Sequence, residues 1–99
     1  NMTYDFSIAS VTLPLSYDVD FKRLTQIFKD LITEFEKDPN WKSHLRGNTN
    51  FGGIVEFNPN SMSVQISIKT EPHSRWKVSA ELRNRIIGAL KLANIPLPK

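Results

Sequence analysis

Apolar and polar residues alternate at the start of the chain in two phases: Tyr4, Phe6 and Ile8 in one, then Val11, Leu13, Leu15 and Tyr17 in the other. A two-residue period marks a strand with one buried face, and a change of phase needs a bulge or a break, here around Ala9-Ser10. Pro14 has no amide to give to a ladder, so this strand belongs at a sheet edge. From Phe21 the period changes. Phe21, Leu24, Ile27, Phe28, Leu31, Ile32 and Phe35 draw one stripe along a helix. Asp18 and Asp20 stand before it as carboxylates suited to cap its free amides. Asp38-Pro39 ends the helix by about residue 37, because the residue before proline is biased away from helical backbone.

Residues 40 to 53 hold Trp41 and Leu45 without a sustained period and read as a loop with one helical turn. Two strands follow, Ile54–Phe57 and Met62–Lys69, joined by the turn-forming cluster Asn58-Pro59-Asn60-Ser61. In the second of them Met62, Val64, Ile66 and Ile68 face the core, and Ser63, Gln65, Ser67 and Lys69 face away. A second helix is predicted from Ser74 to Ala93, with Asn94 in the left-handed closing position and Pro96 blocking continuation. Val78, Leu82, Ile86, Ala89, Leu90 and Ala93 make its core stripe. Trp76, Ala80, Arg83 and Ile87 make a neighbouring one. The order β-α-β-β-α predicts an α+β fold, a ferredoxin-like two-layer sandwich whose antiparallel or mixed sheet carries both helices on one face.

Ninety-nine residues at 39% apolar content support one core, so the whole chain, 1–99, reads as a single domain. Without cysteine there is neither a disulfide framework nor a thiolate metal site. No apolar run approaches the roughly 20 residues of a spanning helix, so the chain is expected to be soluble by itself. The net charge of +3 is uneven: residues 69 to 99 hold seven basic and two acidic side chains, the preceding residues six and eight. Such a basic end is either a solvated helix face or a surface for an anionic partner.

Candidate chemistry is sparse. His44 and His73 fall in predicted loops without a carboxylate at ligand spacing, so no metal is expected. Helix capping accounts for Asp18 and Asp20 without acid/base catalysis. Gly52-Gly53 precedes a strand, whereas a phosphate loop places its glycines between a strand and a following helix. No nucleophile elbow or His-Glu-x-x-His helix is present, so no enzyme and no cofactor are expected. The fold class leaves open a free-standing RNA-binding module or a small-ligand regulatory module, but the outward positions of the third strand lack the aromatics on which bases stack. The Trp76, Ala80, Arg83, Ile87 stripe has two readings. Trp76 closes one end of the core, or the four residues contact an adjacent subunit.

Several elements in order resemble a known family. Val11-Thr-Leu-Pro-Leu-Ser-Tyr17-Asp18-Val-Asp20 before an amphipathic helix, and Asp38-Pro39 after it, are similar to the cytoplasmic domain of small-conductance mechanosensitive channels. So are Ser67-Ile68-Lys69-Thr70-Glu71-Pro72, Trp76, the basic helix through Glu81-Leu82-Arg83-Asn84-Arg85-Ile86, and the exit Ala93-Asn94-Ile95-Pro96-Leu97-Pro98. The resemblance covers about residues 11 to 98. Where many members place glycine before the final Ile-Pro, this chain has Asn94, which keeps the same backbone freedom. The resemblance implies a C-terminal α/β domain walling the cytoplasmic vestibule of a longer subunit, on the inner face of the cell membrane. It also implies a homo-oligomer, usually a heptamer, that releases ions and small solutes under tension. Nucleic acid is not an expected partner, and the membrane is reached only through segments outside this fragment.

Overall fold

The strand predicted from the first alternation forms without the expected interruption. In the computed structural model, which describes residues 6–46 and 50–97 (of 50–52 only the backbone), β1 spans Ser7–Leu15. Its register against β3 (Met62–Thr70) is continuous from Ser7 opposite Thr70 to Leu15 opposite Met62. There is no bulge at Ala9-Ser10. Ala9 takes the inward place in line with Val11, Leu13 and Leu15, all buried, while Ile8 stands on the other face, 48% exposed. The early alternation thus belongs to the outer face, and only the inward series is a core signal. Tyr4 lies outside the described residues, and Tyr17 lies beyond the end of β1.

Opposite β1, the inward residues of β3 are Met62, Val64, Ile66 and Ile68, so the pairs Ala9/Ile68, Val11/Ile66, Leu13/Val64 and Leu15/Met62 form the floor of the core. Such cross-strand pairs are the unit of sheet stability. The outer face is polar: Ser10 Oγ and Ser67 Oγ lie 3.2 Å apart, and Gln65 Nε2 donates to Thr12 Oγ1 at 3.4 Å. β3 is central in the order β1-β3-β2, and both neighbours run antiparallel to it. Pro14 therefore sits on an edge strand.

β2 (Asn50–Phe57) starts four residues before the predicted Ile54 and absorbs Gly52-Gly53, which are strand and not loop. Its ladder with β3 shifts register between Phe51 and Gly53 and again between Ile54 and Glu56. Gly53 has φ +72°, a conformation that costs a side-chain-bearing residue but not glycine. Two irregularities remove the two-residue period, which is why alternation does not betray this part of the strand. The loop before it contains the single turn expected, a 3₁₀ turn at Lys42–His44.

Both helices cover the same sheet face. α1 (Phe21–Lys37) buries Leu24, Phe28, Leu31 and Phe35, and α2 (Arg75–Leu92) buries Val78, Leu82, Ile86 and Leu90. Together with the inward strand residues and Ile95 they form one cluster. Burying a side chain of this size contributes about 1.5–3 kcal/mol relative to exposure. Phe21, counted in the α1 stripe, is 38% exposed at the helix entrance. Asp20 Oδ1 accepts the amides of Lys22 and Arg23, so Asp20 is the cap. Asp18 is not; it sits in the preceding turn, where its amide donates to Ser16 Oγ.

The other end of α2 closes as predicted. Asn94 has φ 59°, its amide donates to the Lys91 carbonyl at 3.1 Å, and the Ile95 amide reaches back to the Leu90 carbonyl at 2.9 Å. This is the 6→1 and 5→2 pattern of a left-handed helix stop, with Leu90 and Ile95 both in the core. Arg23 Nη2 donates to the Ala93 carbonyl at 2.7 Å, satisfying a further terminal acceptor and tying α1 to the end of α2. Of the exit motif, Pro98 lies outside the described residues.

Candidate subunit-contact surface

The turn between β3 and α2 decides where the exposed flank of α2 begins. The Arg46 amide donates to the Lys69 carbonyl at 2.8 Å, and the Glu71 amide donates to the His44 carbonyl at 3.0 Å. Leu45 bridges Thr70, so the segment after the 3₁₀ turn is laced to the end of β3. Thr70 Oγ1, fully buried, donates to the Glu71 carbonyl at 2.8 Å, and Ser7 Oγ donates to the Pro72 carbonyl at 3.1 Å. The Lys-Thr-Glu-Pro turn is thus held from both sides.

Ser74, only 4% exposed, is the residue before α2. Its Oγ lies 3.0 Å from His44 Nδ1 and donates to Glu71 Oε2 at 3.5 Å, while His44 Nδ1 is 3.8 Å from that carboxylate oxygen. A hydroxyl, an imidazole and a carboxylate have come together here, which sequence spacing did not suggest for His44. Both partners meet the same imidazole nitrogen, however, and the hydroxyl is buried against its own carboxylate. A relay would need hydroxyl and acid on opposite ring nitrogens, so the trio is a clamp on the helix start. His73 is elsewhere, exposed beside Trp76. No group of three metal-ligating side chains occurs among the described residues.

From that clamp Trp76 projects into solvent, 75% exposed, with the Arg75 guanidinium 4.4 Å from its ring centroid. The reading in which Trp76 closes the core is therefore incorrect: α2 lays its Val78, Leu82, Ile86 and Leu90 face on the core, which leaves Trp76 on a flank, and Val78 is the first core residue of α2. Ala80 and Arg83 are exposed in line with Trp76, and Ile87 is half-buried further along. Spacings of four, three and four residues keep all four on one line of the helix. Ile87 also lines a small hollow of about 240 Å³ with Ile95, Pro96 and Leu97, so the strip continues into the exit segment.

The opposite flank of α2 is braced. Arg85 Nε donates to Glu81 Oε2 at 2.8 Å and Nη2 to Asp38 Oδ2 at 2.5 Å, and the guanidinium lies 4.7 Å from the Phe35 ring centroid. Asp38 is held below its ordinary 3.8 by the Asn40 amide and then by Arg85. Beyond this brace a groove of about 790 Å³ opens between α1 and α2, which no sequence period announced. Its signal was Leu92, a large apolar residue off both stripes of α2 and 89% exposed.

At one end of the sheet Lys69 Nζ lies 4.5 Å from the Phe6 ring centroid. Tyr17 stacks on Phe57 with centroids 6.3 Å apart, and its hydroxyl donates to the Asn58 carbonyl.

A family model described as "Mechanosensitive ion channel MscS, C-terminal" matches residues 9–97. The chain belongs to that family. Within it, the chain is 26% identical over 87 residues to the moderate conductance mechanosensitive channel YbiO of Escherichia coli K12, covering 84% of this chain and 12% of that protein. It is 22% identical over 98 residues to a small-conductance mechanosensitive channel of Caldanaerobacter subterraneus subsp. tengcongensis, covering 99% of this chain and 34% of that protein. The chain thus spans between about an eighth and a third of the relatives' lengths. Among the described residues no helix is long and apolar enough to cross a membrane.

Proposed function

We propose that this MscS-family domain walls the cytoplasmic vestibule of a homo-oligomeric, tension-gated channel, with conduction and gating carried by other segments of the full-length protein. The family match over nearly the whole chain, within relatives several times longer, carries this reading. The domain's work is then mechanical and electrostatic. Its single core and braced helices give a rigid plate, and basic side chains on its exposed flank bias which solutes pass between subunits. The strip of Trp76, Ala80, Arg83 and Ile87 meets the next subunit, an arrangement suited to exposed tryptophan and arginine anchors. Seven copies around one axis match the usual state of the family.

Two measurements test it. The full-length protein, expressed in cells lacking their own tension-gated channels, is expected to raise survival of hypo-osmotic shock and to give tension-activated currents in excised patches. Failure of both overturns the channel reading. Sedimentation of this chain, wild type beside Trp76→Ala and Arg83→Glu, is expected to show self-association weakened by each substitution. A wild type that stays monomeric at high concentration removes the independent assembly role of the strip.

A further inference from the structure

We infer that Trp76, flanked by Arg75 and Lys77, docks into the α1/α2 groove of a second copy of this chain, making a head-to-tail contact. The inference rests on the reading of the α2 flank as a subunit contact and names the surface that flank meets.

The anchor is chemically distinct. Trp76 is three-quarters exposed beneath a stacked guanidinium. From Pro72 to Ala80 the chain has Arg75, Lys77 and His73 and no acidic residue. An indole stacked under a guanidinium, with a lysine next in the chain, calls for an apolar slot with an anionic rim.

The groove has that make-up. Ile27 and Leu31 of α1 face Gly88 and Leu92 of α2, and Asp30 and Glu34 stand on its edge. Among the described residues Asp30 accepts only from the neutral amide of Gln26, at 2.9 Å, and both carboxylates are exposed. Two cations line it, Arg85 and Lys91, and Arg23 donates to the Ala93 carbonyl at its end. Arg85 is already matched by Asp38 and Glu81, which leaves Asp30 and Glu34 as the carboxylates of the α1 edge. At Gly88 there is nothing within 4 Å of where a Cβ would stand, which leaves the slot floor open. A volume of about 790 Å³ falls in the range of roughly 300–1,000 Å³ of ligand-binding clefts and leaves room for an indole.

Position makes the contact intermolecular. Gly88 and Leu92 lie 12 and 16 residues after Trp76, about 18–24 Å along the axis and roughly 120–160° around it. Anchor and slot are therefore on opposite flanks of one helix and cannot meet within a chain. A two-fold dimer through Trp76 would instead set Arg75 and Lys77 against their own copies. Complementary patches on opposite flanks generate a heterologous contact, the kind that closes into rings.

Charge reversal tests the pairing. Arg75→Glu/Lys77→Glu inverts the anchor, and Asp30→Lys/Glu34→Lys inverts the rim; all four side chains are exposed, so the fold tolerates both. In sedimentation velocity at low salt, each double variant alone is expected to associate at least about tenfold more weakly than wild type. An equimolar mixture is expected to recover association, because each variant's anchor then matches the other's groove. Leu92→Ser should weaken wild-type association with unchanged circular dichroism. Association of the separate variants at wild-type strength, or a mixture no stronger than its parts, overturns this pairing and leaves a subunit contact through some other surface. A wild type that never associates overturns the contact reading itself along with it.

Discussion

The two helices share a sheet face and a core, yet only one of them is finished. α1 carries its buried residues on one line and opens on an Asp20 cap, and Lys37 stands in its last turn beside the helix C-terminus, where positive charge is favoured. α2 buries an equal number of residues but also presents Trp76 on one flank and Leu92 on the other, both largely exposed. A helix made only to cover a sheet has no reason to leave large apolar groups on two further sides. The contrast gives α2, beyond its share of the core, two exposed apolar flanks available for contact, the second of which opens on a groove shared with α1.

The comparison breaks most readily at Phe28, fully buried on α1. Phe28→Ala is expected to lower unfolding free energy by about 3–5 kcal/mol in denaturant titration, with assembly lost only as a consequence of unfolding. Next comes the helix stop. Asn94→Ala places an alanine at φ 59° and is expected to cost about 1 kcal/mol by the same measurement, whereas Asn94→Gly should be neutral or slightly stabilising. A smaller effect appears with pH. The Asp38 carboxyl is depressed in the folded state by the Asn40 amide and by Arg85, so its stabilisation is fully present above the ordinary value of 3.8 and is lost as pH falls through the lower folded value. Arg85→Met should flatten that acid limb of the stability curve, read as melting temperature against pH. Smallest is Trp76→Ala, expected to leave stability within about 0.5 kcal/mol of wild type while weakening self-association. If Trp76→Ala destabilised the fold as Phe28→Ala does, the division between the helices would be wrong.

Much of this was legible in the chain. The α1 stripe, the inward series of β3, the Asp20 cap and the Asn94 stop all stand where periodicity and local backbone chemistry put them, because each depends on residues within a turn or two. Misreadings occurred where a signal had two sources. Phe6 and Ile8 look like core until β3 fixes which face is inward, and Asp18 looks like a cap until Asp20 takes the amides. The start of β2 was hidden by its own irregularity: glycines and two register shifts erase alternation, and pairing with β3 supplies the strand instead.

The contact surface divides in the same way. The line of Trp76, Ala80, Arg83 and Ile87 could be drawn on a helix from spacing alone, since 3.6 residues per turn fix which side chains share a face. Whether that face looks inward or outward could not, because a tryptophan is equally at home in a core and at an interface. The packing of Val78, Leu82, Ile86 and Leu90 into the core decided it, and the His44, Ser74 and Glu71 contacts hold the turn from which the helix starts. The α1/α2 groove likewise exists only once two helices are laid side by side. Composition and local period determined one cysteine-free α+β core and its elements; long-range packing alone decided which apolar residues were left exposed on its surface.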